Sequence, residues 1–206
     1  IHQDNCLEIL RDTSKLNPEV KKHLEEENAY TKEKMKDTKN LQKKLFSEIE
    51  GRIKLDDESL PYKDKKYEYW TKTTKKGNYF KKLRRKIGST KVECYFDGDI
   101  EAKGKKFFST GDLTVSYNDQ LLAFSTDDKG GEYFTIFVRR ISDHKIIEKI
   151  EETAGGVVWA YDDKSFFYRK HDSQKRPRKI FQHKLGTPTK EDELIFEEKD
   201  ERFTCS

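Results

Sequence analysis

Long apolar runs are missing from this sequence, and none approaches the roughly 20 residues that a membrane-spanning helix needs. Residues 1–10 are too polar to read as a secretory leader. Cysteine is scarce and poorly placed for chemistry. Cys6, Cys94 and Cys205 are odd in number and far apart, with no C-x-x-C pair and no disulfide framework, so a reducing cytoplasm is the expected compartment. Charge of one sign is not in large excess either. Basic residues number 43 against 39 acidic ones, closely interspersed, for a net charge of +4, which suits a solvated surface better than a polyanion-binding face. The only methionine is Met35 and the chain begins at Ile1, which raises the expectation of a fragment.

Catalytic signatures are also lacking. A hydrolase nucleophile of the G-x-S-x-G type sits on a strained strand-to-helix turn, and no serine here has a glycine two positions before it. His2, His23, His144, His171 and His183 have no nucleophile partner in sequence, so no triad can be assembled. His171 and His183 lack a second ligand at metal-binding spacing. Asp127-Asp128 and Asp97-Gly98-Asp99 lack the later ligands and closing Glu of a helix-loop-helix calcium site, and read as turn residues. No catalytic, cofactor-binding or metal-binding residue is assigned, and no cofactor is expected.

Aromatic residues, by contrast, are plentiful. Apolar residues make up only 33% of the chain, but 13 Phe, 10 Tyr and 2 Trp bury large areas and argue against disorder. They recur in phase. A step of 44 residues carries LTVSYNDQLLAFSTDD (residues 113–128) onto VVWAYDDKSFFYRKHD (residues 157–172) without a gap. Tyr117 meets Tyr161, Asn118-Asp119 meet Asp162-Asp163, Leu122 meets Phe166, Phe124 meets Tyr168, and Ile136-Phe137 fall on Ile180-Phe181. Short β-rich runs joined by tight polar turns at this period are the pattern of a propeller blade.

In residues 111–150 the pattern predicts strands over 113–116, 120–126, 133–140 and 145–150, with turns at Tyr117-Asn118-Asp119 and Asp128 to Gly131. A worn copy lies earlier, where KYEYWTK (66–72) and NYFKKLRRKI (78–87) form a hairpin and 91–96 an outer strand. The expected fold is mainly β with an N-terminal helical arm, an incomplete β-propeller of about three four-stranded blades. The arm spans residues 1–52 and the partial propeller 53–206. Its blades cover about 53–108, 111–150 and 155–198, with the start of a fourth at 203–206. Closed propellers usually carry about 4–8 blades, so three would leave apolar faces and strand edges open.

Residues 4 to about 50 read as helical. Asn17-Pro18-Glu19 is a start signal, with a capping Asn, Pro at the first helical position and an acidic residue near the positive dipole end. Val20, Leu24, Tyr30 and Met35 give a thin apolar side, and Leu41, Leu45 and Ile49, beside Phe46, a stripe at i, i+4, i+8 before Gly51. Lys81 to Lys86, near Tyr79 and Phe80, could bind nucleic acid, but an amphipathic strand with its cations in water fits the mixed charge better. Trp159 and Tyr161 could form a peptide surface at the tunnel mouth, though Trp159 suits packing between blades. Cys94 reads as a small buried hydrophobe.

DNCLEILRD and LNPEVKKHLEEENAYTKEKM resemble the helical arm of the prolyl oligopeptidase family of serine peptidases. FDGDIEAKGKKFFSTGDLTVSYNDQLLAFSTDDKGGEYFTIFVRRI, GGVVWAYDDKSFFYRKHDSQKRPRKIFQHKLGT and EDELIFEEKDERF are similar to early blades of its oligopeptidase B (protease II) branch. The resemblance covers nearly the whole chain in one order. It implies a seven-bladed propeller capping an α/β-hydrolase domain, in an enzyme that cuts short peptides after Lys or Arg. Cys6 departs from it, standing where the family's D-N-W segment carries Trp. The peptidase domain is not in this sequence, so the chain is expected to be inactive alone. Its partners would be an α/β-hydrolase catalytic domain, joined or separate, and short basic peptides, with no nucleic acid and no membrane. The alternative is a split or decayed gene product serving as a non-catalytic partner of a separately encoded peptidase domain.

Overall fold

The computed structural model of the chain describes Ile9 and residues 12–206, which fall into two compact units that divide after Val92. His2, Cys6 and most of the helical expectation for residues 4–11 lie outside the described residues. The fold is mainly β with an N-terminal helical arm. Its strands form three sheets, and no closed barrel is present among the described residues.

In the first unit, helix α1 (Pro18–Lys34) begins where the sequence signals it: Asn17 Oδ1 accepts the Glu19 amide at 2.8 Å, with Pro18 at the first helical position. A 3-10 turn over Lys36–Thr38 separates it from α2 (Lys39–Gly51), whose Leu41, Leu45, Phe46 and Ile49 are exposed. Four strands follow: β1 (Asp57–Glu58), β2 (Tyr62–Asp64), β3 (Tyr67–Thr73) and β4 (Lys81–Lys86). β3 pairs along one edge with the short β1 and β2, and along the other with β4.

The basic run of β4 is taken up by its own sheet. Arg84 is only 4% exposed, with its guanidinium 4.3 Å from the Tyr67 ring centre. Arg85 donates to Glu68 at 2.6 Å and Lys82 to Thr71 at 2.9 Å. Burial pushes the Lys82 ammonium below its usual range. The run is therefore a strand, as expected, but its cations lie largely against neighbours and not in water.

β5 (Val92–Asp97) carries the chain into the second unit, and Asp97 caps the short helix α3 (Gly98–Glu101). Two four-stranded antiparallel sheets follow. One contains β6 (Ser109–Val115), β7 (Leu121–Asp127), β8 (Phe134–Arg140) and β9 (Ile146–Thr153) in sequential order. The other contains β10 (Val157–Trp159), β11 (Ser165–His171), β12 (Pro177–Lys184) and β13 (Glu193–Glu197).

Strand register reproduces the repeat. Leu113 pairs with Phe124 and Val115 with Leu122, and 44 residues later Val157 pairs with Tyr168 and Trp159 with Phe166. β6 begins earlier than its apolar core suggests, because a bulge between Thr110 and Leu113 extends it. Gly111 sits in that bulge, where a Cβ would stand 2.4 Å from Ser125 Oγ.

Strand alternation decides which face is buried. Ala123, Ile136, Val138 and Ile150 of one sheet pack against Val157, Trp159, Phe166 and Tyr168 of the next. Val158 faces the other way and is exposed. The two sheets thus share one continuous core.

Candidate functional site

Polar links cross the seam and hold the two sheets in register. Trp159 Nε1 donates to the Thr114 carbonyl at 3.2 Å, and Ser125 Oγ to the Gly155 carbonyl at 2.7 Å. The Asn118 amide donates to Asp163 Oδ1 at 3.1 Å, the Gly186 amide to Glu148 Oε2 at 2.8 Å, and Lys175 Nζ to Glu132 Oε2 at 3.0 Å. Trp159 is buried, which bears out packing as its role.

At one end of the seam, the turns after β6 and β10 lie side by side. Asp119 (φ 64°) and Asp163 (φ 55°) occupy the left-handed conformation that Asp tolerates in tight turns. Asp162 Oδ1 accepts the amides of Lys164 (2.9 Å) and Ser165 (3.0 Å), and these backbone hydrogen bonds hold its carboxyl below the usual range. The two turns bring Tyr117 and Tyr161 together with ring centres 5.0 Å apart at 51°.

The opposite end carries the β7–β8 and β11–β12 loops and a cleft of about 350 Å³ lined by Phe107, Ser109, Asp127, Glu132, Phe134 and His171, among others. Asp127 is a turn residue here: its carboxylate accepts the amides of Lys129, Gly130 and Glu132 at 2.7–3.0 Å. The His171 ring meets Tyr133 edge to face at 5.2 Å, and its Nδ1 is buried without a hydrogen-bond partner. Burial, with Lys175 and Arg169 nearby, holds the imidazole below its usual range.

The structure assembles a His–Asp pair that sequence spacing did not disclose. His183 is fully buried, and its Nδ1 stands 2.7 Å from Asp192 Oδ1. Asp192 Oδ2 accepts the Tyr168 hydroxyl at 2.7 Å. Burial first, and Asp192 second, push the Tyr168 phenol well above its usual range. For acyl transfer the distal imidazole nitrogen must face a nucleophilic hydroxyl. His183 Nε2 instead faces the Glu148 carboxylate at 3.6 Å. The pair is therefore a buried structural network and not a hydrolytic site.

A second buried polar group anchors the beginning of this unit. Arg139 lies over the Phe124 ring at 4.8 Å, pairs with Glu101 and donates to the Tyr95 carbonyl at 3.1 Å. Beside it a cleft of about 410 Å³ includes Cys94, which is half-buried and not fully buried as expected; its Sγ donates to the Phe96 carbonyl at 3.3 Å. Asp97 Oδ1 accepts the Asp99 amide at 3.1 Å and so caps α3. No group of three or more metal-ligating side chains occurs among the described residues. No helix among them is long and apolar enough to cross a membrane.

With this geometry in hand, comparison with known proteins gives a consistent result. The family model described as "Prolyl oligopeptidase, N-terminal beta-propeller domain" matches residues 7–206. The dipeptidyl aminopeptidase BI of Pseudoxanthomonas mexicana is 31% identical over 212 aligned positions, covering 94% of this chain and 29% of that protein. The structure of oligopeptidase B from Leishmania major superposes with a TM-score of 0.84 at 31% identity, covering 93% of this chain and 28% of that one. Oligopeptidase B from Trypanosoma brucei, in a closed form with covalently bound antipain, gives 0.82 at 31% identity, over 93% and 27%. The chain spans less than a third of the length of each of these proteins.

Proposed function

Since this chain belongs to the prolyl oligopeptidase family and matches its N-terminal propeller domain, we propose that it is the propeller part of an oligopeptidase B-type serine peptidase, acting beside an α/β-hydrolase domain. The whole enzyme cleaves short peptides on the carboxyl side of Lys or Arg. Its chemistry is acyl transfer, with a serine nucleophile, a histidine base and an aspartate that orients the histidine, all supplied by the hydrolase domain. This chain contributes shape. Its packed sheets bar folded proteins from the triad, and movement of the propeller against the catalytic domain gates entry.

The observation that carries the reading is the likeness to oligopeptidase B along 93% of the chain. The direction of His183 Nε2 toward a carboxylate supports placing the chemistry in another domain. Co-expression of the chain with a matching α/β-hydrolase domain tests it. The expected result is copurification with turnover of Arg- and Lys-linked reporter peptides. A complex that cleaves only after other residues would overturn the specificity, and failure of the two parts to associate would overturn the partnership.

A further inference from the structure

Helix α2 carries an uncovered apolar stripe. Leu41, Leu45, Phe46 and Ile49 are 46–68% exposed, and no residue of the helix is buried. At about 100° per residue these four fall within an arc of about 140°, which makes a packing face and not a scatter of single side chains. The charges of the same helix run against its own dipole. Its first turn holds Lys39 and no acid, and its last turn holds Glu50 and no base. A helix is stabilised by the opposite arrangement, with acids at the amino end and cations at the carboxyl end.

The flanks of the stripe repeat that polarity. Lys44 and Glu48 border it on one side and Lys43 and Glu50 on the other, each cation nearer the amino end. Of these four, Glu48 also pairs within its own chain, with Arg52. A parallel neighbour of the same sequence would set lysine beside lysine. An antiparallel neighbour reverses the order. With Leu45 facing its own copy, Leu41 lies level with Ile49 of the second copy. Lys44 then comes within a turn of that copy's Glu48, and Lys43 within a turn of its Glu50, and a two-fold axis repeats both pairs. Each helix end also meets the opposite dipole end and the opposite charge.

We propose that α2 is an interface for a second copy of this chain, docked antiparallel about a two-fold axis at Leu45. The apolar stripe supplies the attraction, and the Lys–Glu pairs on its flanks fix the direction. One 13-residue helix is a small contact beside the interface of a permanent dimer, so the association is reversible, with a dissociation constant in the micromolar range. It is independent of the function proposed above.

Sedimentation equilibrium of the full 206-residue chain tests it, and the expected result is a monomer–dimer equilibrium. Leu45→Glu, at an exposed position, leaves the circular dichroism spectrum unchanged and weakens dimerisation about tenfold or more. Lys43→Glu with Lys44→Glu weakens it about tenfold, and so does Glu48→Lys with Glu50→Lys. Mixed in equal amounts, these two charge-reversed chains regain a dimer as strong as that of the wild type, because each supplies the charge the other has lost. A wild-type chain that stays monomeric up to about 100 μM overturns the proposal. So does a dimer that Leu45→Glu leaves intact, and so do charge-reversed chains that pair no better when mixed. If the chain is monomeric alone and Leu45→Glu abolishes its capture of an α/β-hydrolase domain, the face belongs to that domain and the second copy is excluded.

Discussion

His183 Nδ1 stands 2.7 Å from Asp192 Oδ1 inside the third sheet, with the Tyr168 hydroxyl on the other oxygen of the same carboxylate. One buried carboxylate thus satisfies two donors from two different strands. Truncating Asp192 to Ala leaves both side chains without that partner, and an unpaired buried polar group costs about 1–3 kcal/mol. The expected loss is about 3 kcal/mol, which lowers the thermal midpoint by roughly 6–12 °C for a chain of this size. Differential scanning calorimetry checks it. Asp192→Asn, which still accepts one hydrogen bond, should fall between the two.

Trp159 combines a packing role with a polar one. Trp159→Phe keeps an aromatic ring against Phe166 but removes the hydrogen bond to Thr114, for an expected cost of about 1 kcal/mol. Trp159→Ala also opens a cavity between the sheets, and about 3–5 kcal/mol is expected. Urea unfolding of both variants separates the two contributions. Equal losses would show that the hydrogen bond, and not the packing, fastens the seam.

The repeat makes the second and third sheets legible in the sequence. Tyr117 and Tyr161 stand in phase in the sequence, and the registers of Leu113 with Phe124 and Val157 with Tyr168 follow the same step. What stayed hidden depends on contacts that no local pattern encodes. Asp192 lies in the connection after a 3-10 turn, and nothing in its spacing points to His183 or Tyr168. Arg84 reads as one cation in a solvated run, yet the ring of Tyr67 on the paired strand covers it. The bulge at Gly111 has no signature in the sequence, because no apolar alternation there marks a strand.

Acid should loosen the end of the seam that carries His171. Tyr133 and Glu132 face it from the β7–β8 loop, Lys175 and Asp172 from the β11–β12 loop, and Arg169 from its own strand. Its folded-state pKa is lowered, so the unfolded chain takes up the proton first. The stabilisation is complete above the unfolded value of about 6.5 and is lost as pH falls through the folded value. His171→Gln should therefore flatten the decline in thermal midpoint below about pH 6.5. Parallel slopes for the two proteins would remove His171 as the cause.

Glu101 neutralises the largely buried Arg139. Glu101→Ala leaves that guanidinium without its counter-charge, and breaking a buried pair in this way costs about 3–5 kcal/mol. Replacing both residues with apolar ones, Glu101→Leu with Arg139→Met, should recover much of the loss. A double-mutant cycle measured by denaturant unfolding checks the coupling, and additive losses would contradict it.

The most direct measurement is hydrolysis of an Arg-linked reporter peptide by the 206-residue chain alone and by the chain together with a matching α/β-hydrolase domain. The expected result is no turnover above buffer for the chain alone, and turnover abolished by a serine-directed inhibitor once the two are together. Serine-dependent cleavage by the chain alone would contradict the account at its centre.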